Sequence, residues 1–129
     1  MIKTKDLRLG NYVTDNSGFT MYVVGIYEDT ILLNFEGNEG DVLEADEKDL
    51  IGIMLDTGLL LKSGFKRQVT GIGWDKYSNG VVELSLAPLS NGSYIPIYHI
   101  NGEMVQIMYL HQLQNLFYVL TKKELEINL

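Results

Sequence analysis

The sequence contains no cysteine. That removes disulfides, thiolate nucleophiles and cysteine-ligated zinc or iron–sulfur sites from consideration. Histidine is nearly as scarce, with only His99 and His111, which leaves little from which to build a zinc site. No metal or cofactor is therefore expected. No apolar run approaches the roughly 20 residues needed to span a bilayer, and the opening Met1-Ile2-Lys3-Thr4-Lys5-Asp6 lacks the apolar centre of a signal peptide. These features predict a cytoplasmic location and no membrane association. Positive charge is also in short supply: 10 lysines and arginines face 17 acidic residues, for a formal net charge of -7. Such a field repels phosphate backbones and argues against nonspecific nucleic-acid binding. Lys62, Lys66 and Arg67 form a basic patch too thin to reverse it.

What is present describes an ordinary globular chain. With 129 residues, 46% of them hydrophobic and 21% charged, it is long enough to bury roughly two-thirds of its unfolded surface. Residues 7 to 14 and 19 to 26 are rich in β-formers and are joined by Asp15-Asn16-Ser17-Gly18. A third run, Thr30 to Phe35, follows Glu28-Asp29, and a short fourth strand is expected around Asp41 to Ala45. This meander suits an SH3-like small curved sheet or barrel. Residues 36 to 49 crowd carboxylates around a single lysine. Hard cations favour such clusters, but Asp41, Glu44, Asp46 and Asp49 do not match the EF-hand spacing, so the expectation is a solvated edge and loop.

Asp56 to Ser63 reads as a short helix capped by Asp56 or Thr57, with Leu59, Leu60 and Leu61 on its buried side and Gly64-Phe65 as its stop. Beyond it, Asn79-Gly80, Asn91-Gly92 and Asn101-Gly102 punctuate strand-like runs at 65 to 74, 81 to 87, 94 to 100 and 103 to 109. Asn-Gly readily takes the positive φ angles of a type I′ turn, so these runs predict a sequential antiparallel meander. Val82, Leu84 and Leu86 alternate with Glu83 and Ser85 as buried and exposed faces. Pro96 cannot donate to a ladder, which places its strand at an edge or at a bulge. The expected class is α+β, mainly antiparallel β: residues 1 to 54 form an N-terminal β unit. Residues 55 to 129 add the short helix, the four-strand meander and a C-terminal helix packed on the sheet, all sharing one core.

The C-terminal helix carries most of the candidate chemistry. At about 100° per residue, Tyr109, Leu110, Leu113, Leu116, Phe117 and Leu120 fall within an arc of roughly 120°. His111, Asn115, Tyr118 and Lys122 lie opposite, with Gln114 on a flank, and this polar stripe is expected to face away from the core. The helix should end near Leu120, where Thr121-Lys122-Lys123-Glu124 has the form of a capping box. Its start has no Ser, Thr, Asp or Asn as an N-cap, so the first-turn amides need water, a glutamine side chain or an anion.

No catalytic set accompanies these residues. Asn115, at i+4 from His111, can orient an imidazole but cannot act as acid or base. Ser17, Ser78, Ser90 and Ser93 occur in turn-rich stretches and none stands in a G-x-S-x-G context. Gly71-Ile72-Gly73-Trp74 lacks the third glycine and following helix of a dinucleotide fingerprint and reads as a bulge or as close packing by Trp74.

The segment Tyr109-Leu110-His111-Gln112-Leu113-Gln114-Asn115-Leu116-Phe117-Tyr118, continuing through Leu120-Thr121 to Glu124-Leu125, resembles a C-terminal motif, roughly "hHQLQNLYFALTGEEL", of small uncharacterised proteins in Bacteroidetes genomes, often in phage-like or mobile regions. Leu7 to Val13 and Leu59 to Phe65 resemble that family's "LRIGNYV" and "LLLKFGF" segments. Lys122-Lys123 departs from the motif's Gly-Glu, and Gly52-Ile53-Met54-Leu55-Asp56 lacks the family's prolines. The resemblance implies no activity, cofactor or catalytic residue. The leading expectation is a noncatalytic protein-interaction or accessory module of a mobile element or phage, with His111, Gln114, Asn115 and Tyr118 as its contact surface, an unidentified protein as partner and a homodimer as an option. The alternatives are a nucleic-acid-associated module and a small hydrolase or metal enzyme using His111 and His99.

Overall fold

The structure, a computed structural model, describes residues 2–69, 71 and 74–129. The chain divides into two units, one comprising Met1–Ile53 with Tyr109–Asn115, the other Met54–Met108 with Leu116–Leu129.

In the first unit, strands β1 (Tyr12–Thr14), β2 (Thr20–Tyr27), β3 (Thr30–Asn34) and β4 (Leu43–Asp46) form an antiparallel sheet in sequence order. Of the two forms expected, a small sheet or a barrel, the barrel does not close: the sheet is open, with β1 and β4 as its edges. Its period-two pattern buries Val13, Met21, Val23, Ile31 and Leu33, joined by Ile2, Leu7 and Leu50. A register shift between Val23 and Gly25 bends β2; a Cβ at Gly25 would lie 3.0 Å from Leu32 Cδ1, so the bulge exploits the missing side chain. The first expected strand is shorter than residues 7 to 14. Gly10 takes φ of 91° and the Asn11 side-chain oxygen accepts the Arg8 N–H at 2.7 Å, which turns the chain before β1 begins.

In the second unit, Asp56 caps helix α1 (Thr57–Lys62) by accepting the Leu59 N–H at 2.7 Å. Gly64 supplies the left-handed stop with φ of 84°, and the Phe65 N–H returns to the Leu60 carbonyl. Leu59 and Leu60 are buried, whereas Leu61, expected beside them, is exposed. The meander has five strands rather than four: β5 (Lys66–Gln68), β6 (Asp75–Ser78), β7 (Glu83–Pro88), β8 (Tyr94–Ile100) and β9 (Glu103–Gln106), again in sequence order. The run at 65 to 74 is thus no continuous strand. It holds β5 and a turn with Gly71 at φ of 72°; Ile72 and Gly73, part of the expected bulge, lie outside the described residues.

Asn101-Gly102 alone of the Asn-Gly pairs shows positive φ at both residues, the type I′ signature. In the other loops the asparagine folds its own side chain over the backbone instead, Asn79 accepting from the Val81 and Val82 N–H groups and Asn91 from that of Ser93. Ser85, expected outside, is buried because its cross-strand neighbours Lys76 and Ile97 are longer and flank it. Pro96 sits in an interior strand rather than at an edge. Its carbonyl accepts the Ile107 N–H at 3.0 Å, so its missing donor faces the β9 side, one residue past the last β9 pair, Ile97 with Gln106. The reciprocal bond to Ile107 is the one the ladder lacks, and β9 ends at that point.

Candidate functional site

Helix α2 (Leu110–Thr121) contains the HQLQN run. Two amides at its N-terminus are satisfied from within the protein: Gln112 Oε1 reaches back to the Tyr109 N–H at 3.0 Å, one half of a capping box, and the Leu110 N–H bonds the Ile53 carbonyl at 2.8 Å. At the other end Thr121 accepts the Lys123 N–H, but no new helical turn follows, and Lys122 takes φ of 60°. The expected second helical start is instead a left-handed exit.

The expected outward face is overturned at its first two members. His111 is 4% and Gln114 2% exposed, and Leu120, assigned to the core, is 46% exposed. Hydrogen bonding explains the reversal at Gln114. Gln114 Oε1 accepts the Tyr12 N–H at 2.9 Å while its Nε2 donates to the Gly10 carbonyl at 3.1 Å. Asn115 Oδ1 accepts from Asn11 Nδ2 at 2.8 Å, and Asn115 Nδ2 donates to the Asp6 carbonyl at 3.1 Å. Asn11 itself is fully buried, with its oxygen on the Arg8 N–H. These amides use both ends of each side chain to fasten the turn at residues 6 to 12. Such a polar cluster is tolerated inside because its members are matched.

His111 stacks on Tyr109, ring centroids 5.7 Å apart and planes 12° from parallel. Gly52 makes room for the pair: a Cβ there would stand 2.6 Å from Tyr109 Cδ1 and 3.2 Å from His111 Cε1. The Nδ1 of His111 is buried and has no hydrogen-bond partner. Burial pushes the imidazole pKa below its usual value, and the Asp6 charge offsets this only in part. The ring is therefore neutral at pH 7, with no acceptor on Nδ1 to orient it as a triad histidine would need. His99 is exposed on β8, opposite Met104. Tyr118 is half-buried, with Lys122 Nζ 5.8 Å from its ring centroid.

Several serine hydroxyls are engaged locally: Ser17 donates to Asp15, Ser93 to Asn91 and Ser63 to the Leu59 carbonyl. In the acidic stretch, Glu47 accepts the Thr4 N–H at 2.8 Å and Asp46 the Lys48 N–H at 3.1 Å. Among the described residues no group of three or more His, Asp or Glu side chains is arranged to hold a metal ion.

Sequence reasoning missed Asn11 and Gly52. The Gly10-Asn11 dipeptide, a turn signal inside an apparent strand, is the trace of the first; the second leaves none, because its partners lie far along the chain. The more exposed apolar feature is elsewhere, on the β8–β9 hairpin. All of β9 is exposed, Met104 at 64% and Val105 at 40%, and Ile100 on β8 at 45%. No protein-family model, curated protein or solved structure matches the chain.

Proposed function

We propose that the chain is a noncatalytic protein-interaction or accessory module that makes its contacts through the β8–β9 hairpin. The observation that carries this reading is the exposure of β9 along its whole length with Met104 and Val105 uncovered. A hairpin of this kind offers apolar contact area together with an open backbone edge, the two ingredients of recognition by strand addition. The polar run on α2 supports the same reading in a different way, since His111, Gln114 and Asn115 are committed to the protein's own interior and fastenings. Of the surface expected from sequence, Tyr118 retains partial exposure.

The resemblance of residues 109 to 125 to small proteins of phage-like and mobile regions favours an accessory role in such an element, acting in the cytoplasm. The net charge of -7 disfavours nucleic acid as the partner. Capture from a native host lysate tests the assignment. Wild-type chain should retain a reproducible partner that is lost on Met104→Pro and kept on Tyr118→Ala. Retention by both variants, or by neither, contradicts it.

A further inference from the structure

The two sheets present four edge strands, and three are protected against a further strand. Along β1, Thr14 and Ile51 exchange backbone bonds of 3.0 and 2.8 Å and Gln114 takes the Tyr12 N–H. β4 carries Glu44 and Asp46, and β5 carries Lys66 and Arg67. β9 has no lysine, proline or bulge. Its one charge, Glu103, adjoins the turn.

The geometry fixes which backbone groups β9 leaves open. A two-residue turn at Asn101-Gly102 makes Ile100 and Glu103 the bonded pair that closes the hairpin. Antiparallel alternation then directs the N–H and C=O of Glu103 and Val105 toward β8, and the Ile107 bond to Pro96 continues the series. Met104 and Gln106 therefore point theirs away from β8.

Resting on the hairpin as the interaction surface, we propose that β9 pairs antiparallel with β9 of a second copy about a two-fold axis at Val105, joining two five-stranded sheets edge to edge. In this register Met104 of one copy faces Gln106 of the other, so every outward backbone group on both strands finds a partner. The two Val105 side chains meet at the axis as a β-branched pair, beside Tyr98, which lies opposite Val105 within each hairpin. Charge selects the same register. The two Glu103 carboxylates are then separated by four strand positions, roughly 13 Å, beyond the Debye length of about 8 Å at physiological salt. Sliding toward the turn would bring them face to face. The net charge of -7 on each copy opposes association at long range, so the dimer strengthens as salt rises, the reverse of a contact driven by opposite charges.

Sedimentation velocity on the full chain, from about 10 to about 500 μM, at about 50 and about 500 mM salt, tests this. Dimer should accumulate with concentration and more readily at high salt. Met104→Pro removes an outward N–H without touching the ladder to β8, and Val105→Glu places carboxylates opposite one another at the axis. Each should weaken dimerisation at least about tenfold while circular dichroism stays native, and Val105→Ile should preserve it. A wild-type chain that stays monomeric, or a dimer that survives both variants, overturns the proposal. If the wild type is monomeric yet Met104→Pro abolishes lysate capture, self-pairing fails and the hairpin reading stands. If Met104→Pro alters neither, both fail.

Discussion

Replacing Gln114 with methionine keeps the length of the side chain and removes both of its hydrogen bonds. The Tyr12 N–H, held at 2.9 Å, and the Gly10 carbonyl, held at 3.1 Å, lose their partners. An orphaned backbone group costs about 1–3 kcal/mol when buried. Tyr12 and Gly10 are half-buried, so water recovers part of this and the pair costs about 3 kcal/mol. Burying the methionine thioether and methyl returns about 1 kcal/mol, leaving a net loss of about 2 kcal/mol. With a urea dependence of about 1–3 kcal/mol per molar, the unfolding midpoint should fall by about 0.7–2 M. Gln114→Glu sharpens the test. It preserves the acceptor for Tyr12 but turns a second acceptor toward the Gly10 carbonyl, and protonation restores the donor. Burial raises the folded-state pKa of that carboxyl above its unfolded value, so the variant should be weakest at neutral pH and recover stability as pH falls. If both variants lie within about 0.5 kcal/mol of wild type, the range of an ordinary surface substitution, Gln114 does not fasten the turn and the reasoning fails.

Gly52→Ala should destabilise by about 1–3 kcal/mol, the cost of overpacking, because its methyl would sit 2.6 Å from Tyr109 Cδ1; thermal unfolding and the near-ultraviolet signal of the tyrosines check it. Lys122→Gly should stabilise by about 0.5 kcal/mol, since glycine relieves a residue held at φ of 60°, less a contribution from the Lys122 contact with the Tyr118 ring. A rise in melting temperature is the expected result. His111, with its pKa lowered by burial, is neutral in both states only well above the ordinary imidazole value of about 6.5. As pH falls through that value the unfolded chain takes the proton first, so stability declines by up to about 1.4 kcal/mol per pH unit until the folded-state pKa is passed. His111→Phe, which keeps a ring on Tyr109, should flatten urea midpoints between pH 7.5 and pH 5; an unchanged slope would place the titration elsewhere.

Local chemistry made much of the fold legible. Asp56 and Gly64 mark the ends of α1 because a cap and a left-handed stop are decided within a few residues, and alternation exposes β3 because its side chains face a core on one side, whereas β7 buries Leu84, Ser85 and Leu86 in succession. The interior of a run was harder to read. Gly10-Asn11 turns the chain inside an apparent strand, and Gly71 does so between β5 and β6, against a background of β-formers. The α2 reading failed for a further reason. Assigning polar residues to solvent presumes that only apolar groups are buried, whereas Gln114 and Asn115 are matched to backbone and side-chain groups more than a hundred positions away. No periodicity encodes that match. Gln112, whose partner is three residues distant, was by contrast foreseeable as a cap.

If the chain associates through the edge of β9, as proposed, and the polar run of α2 serves the protein's own structure, a concentration series of amide NMR spectra on the wild-type chain will separate the two surfaces. Cross-peaks from Tyr98 to Gln106 should shift and broaden as concentration rises, and those of His111, Gln114 and Asn115 should stay fixed. Shifts concentrated at His111 to Tyr118 with a silent β9 would contradict the account.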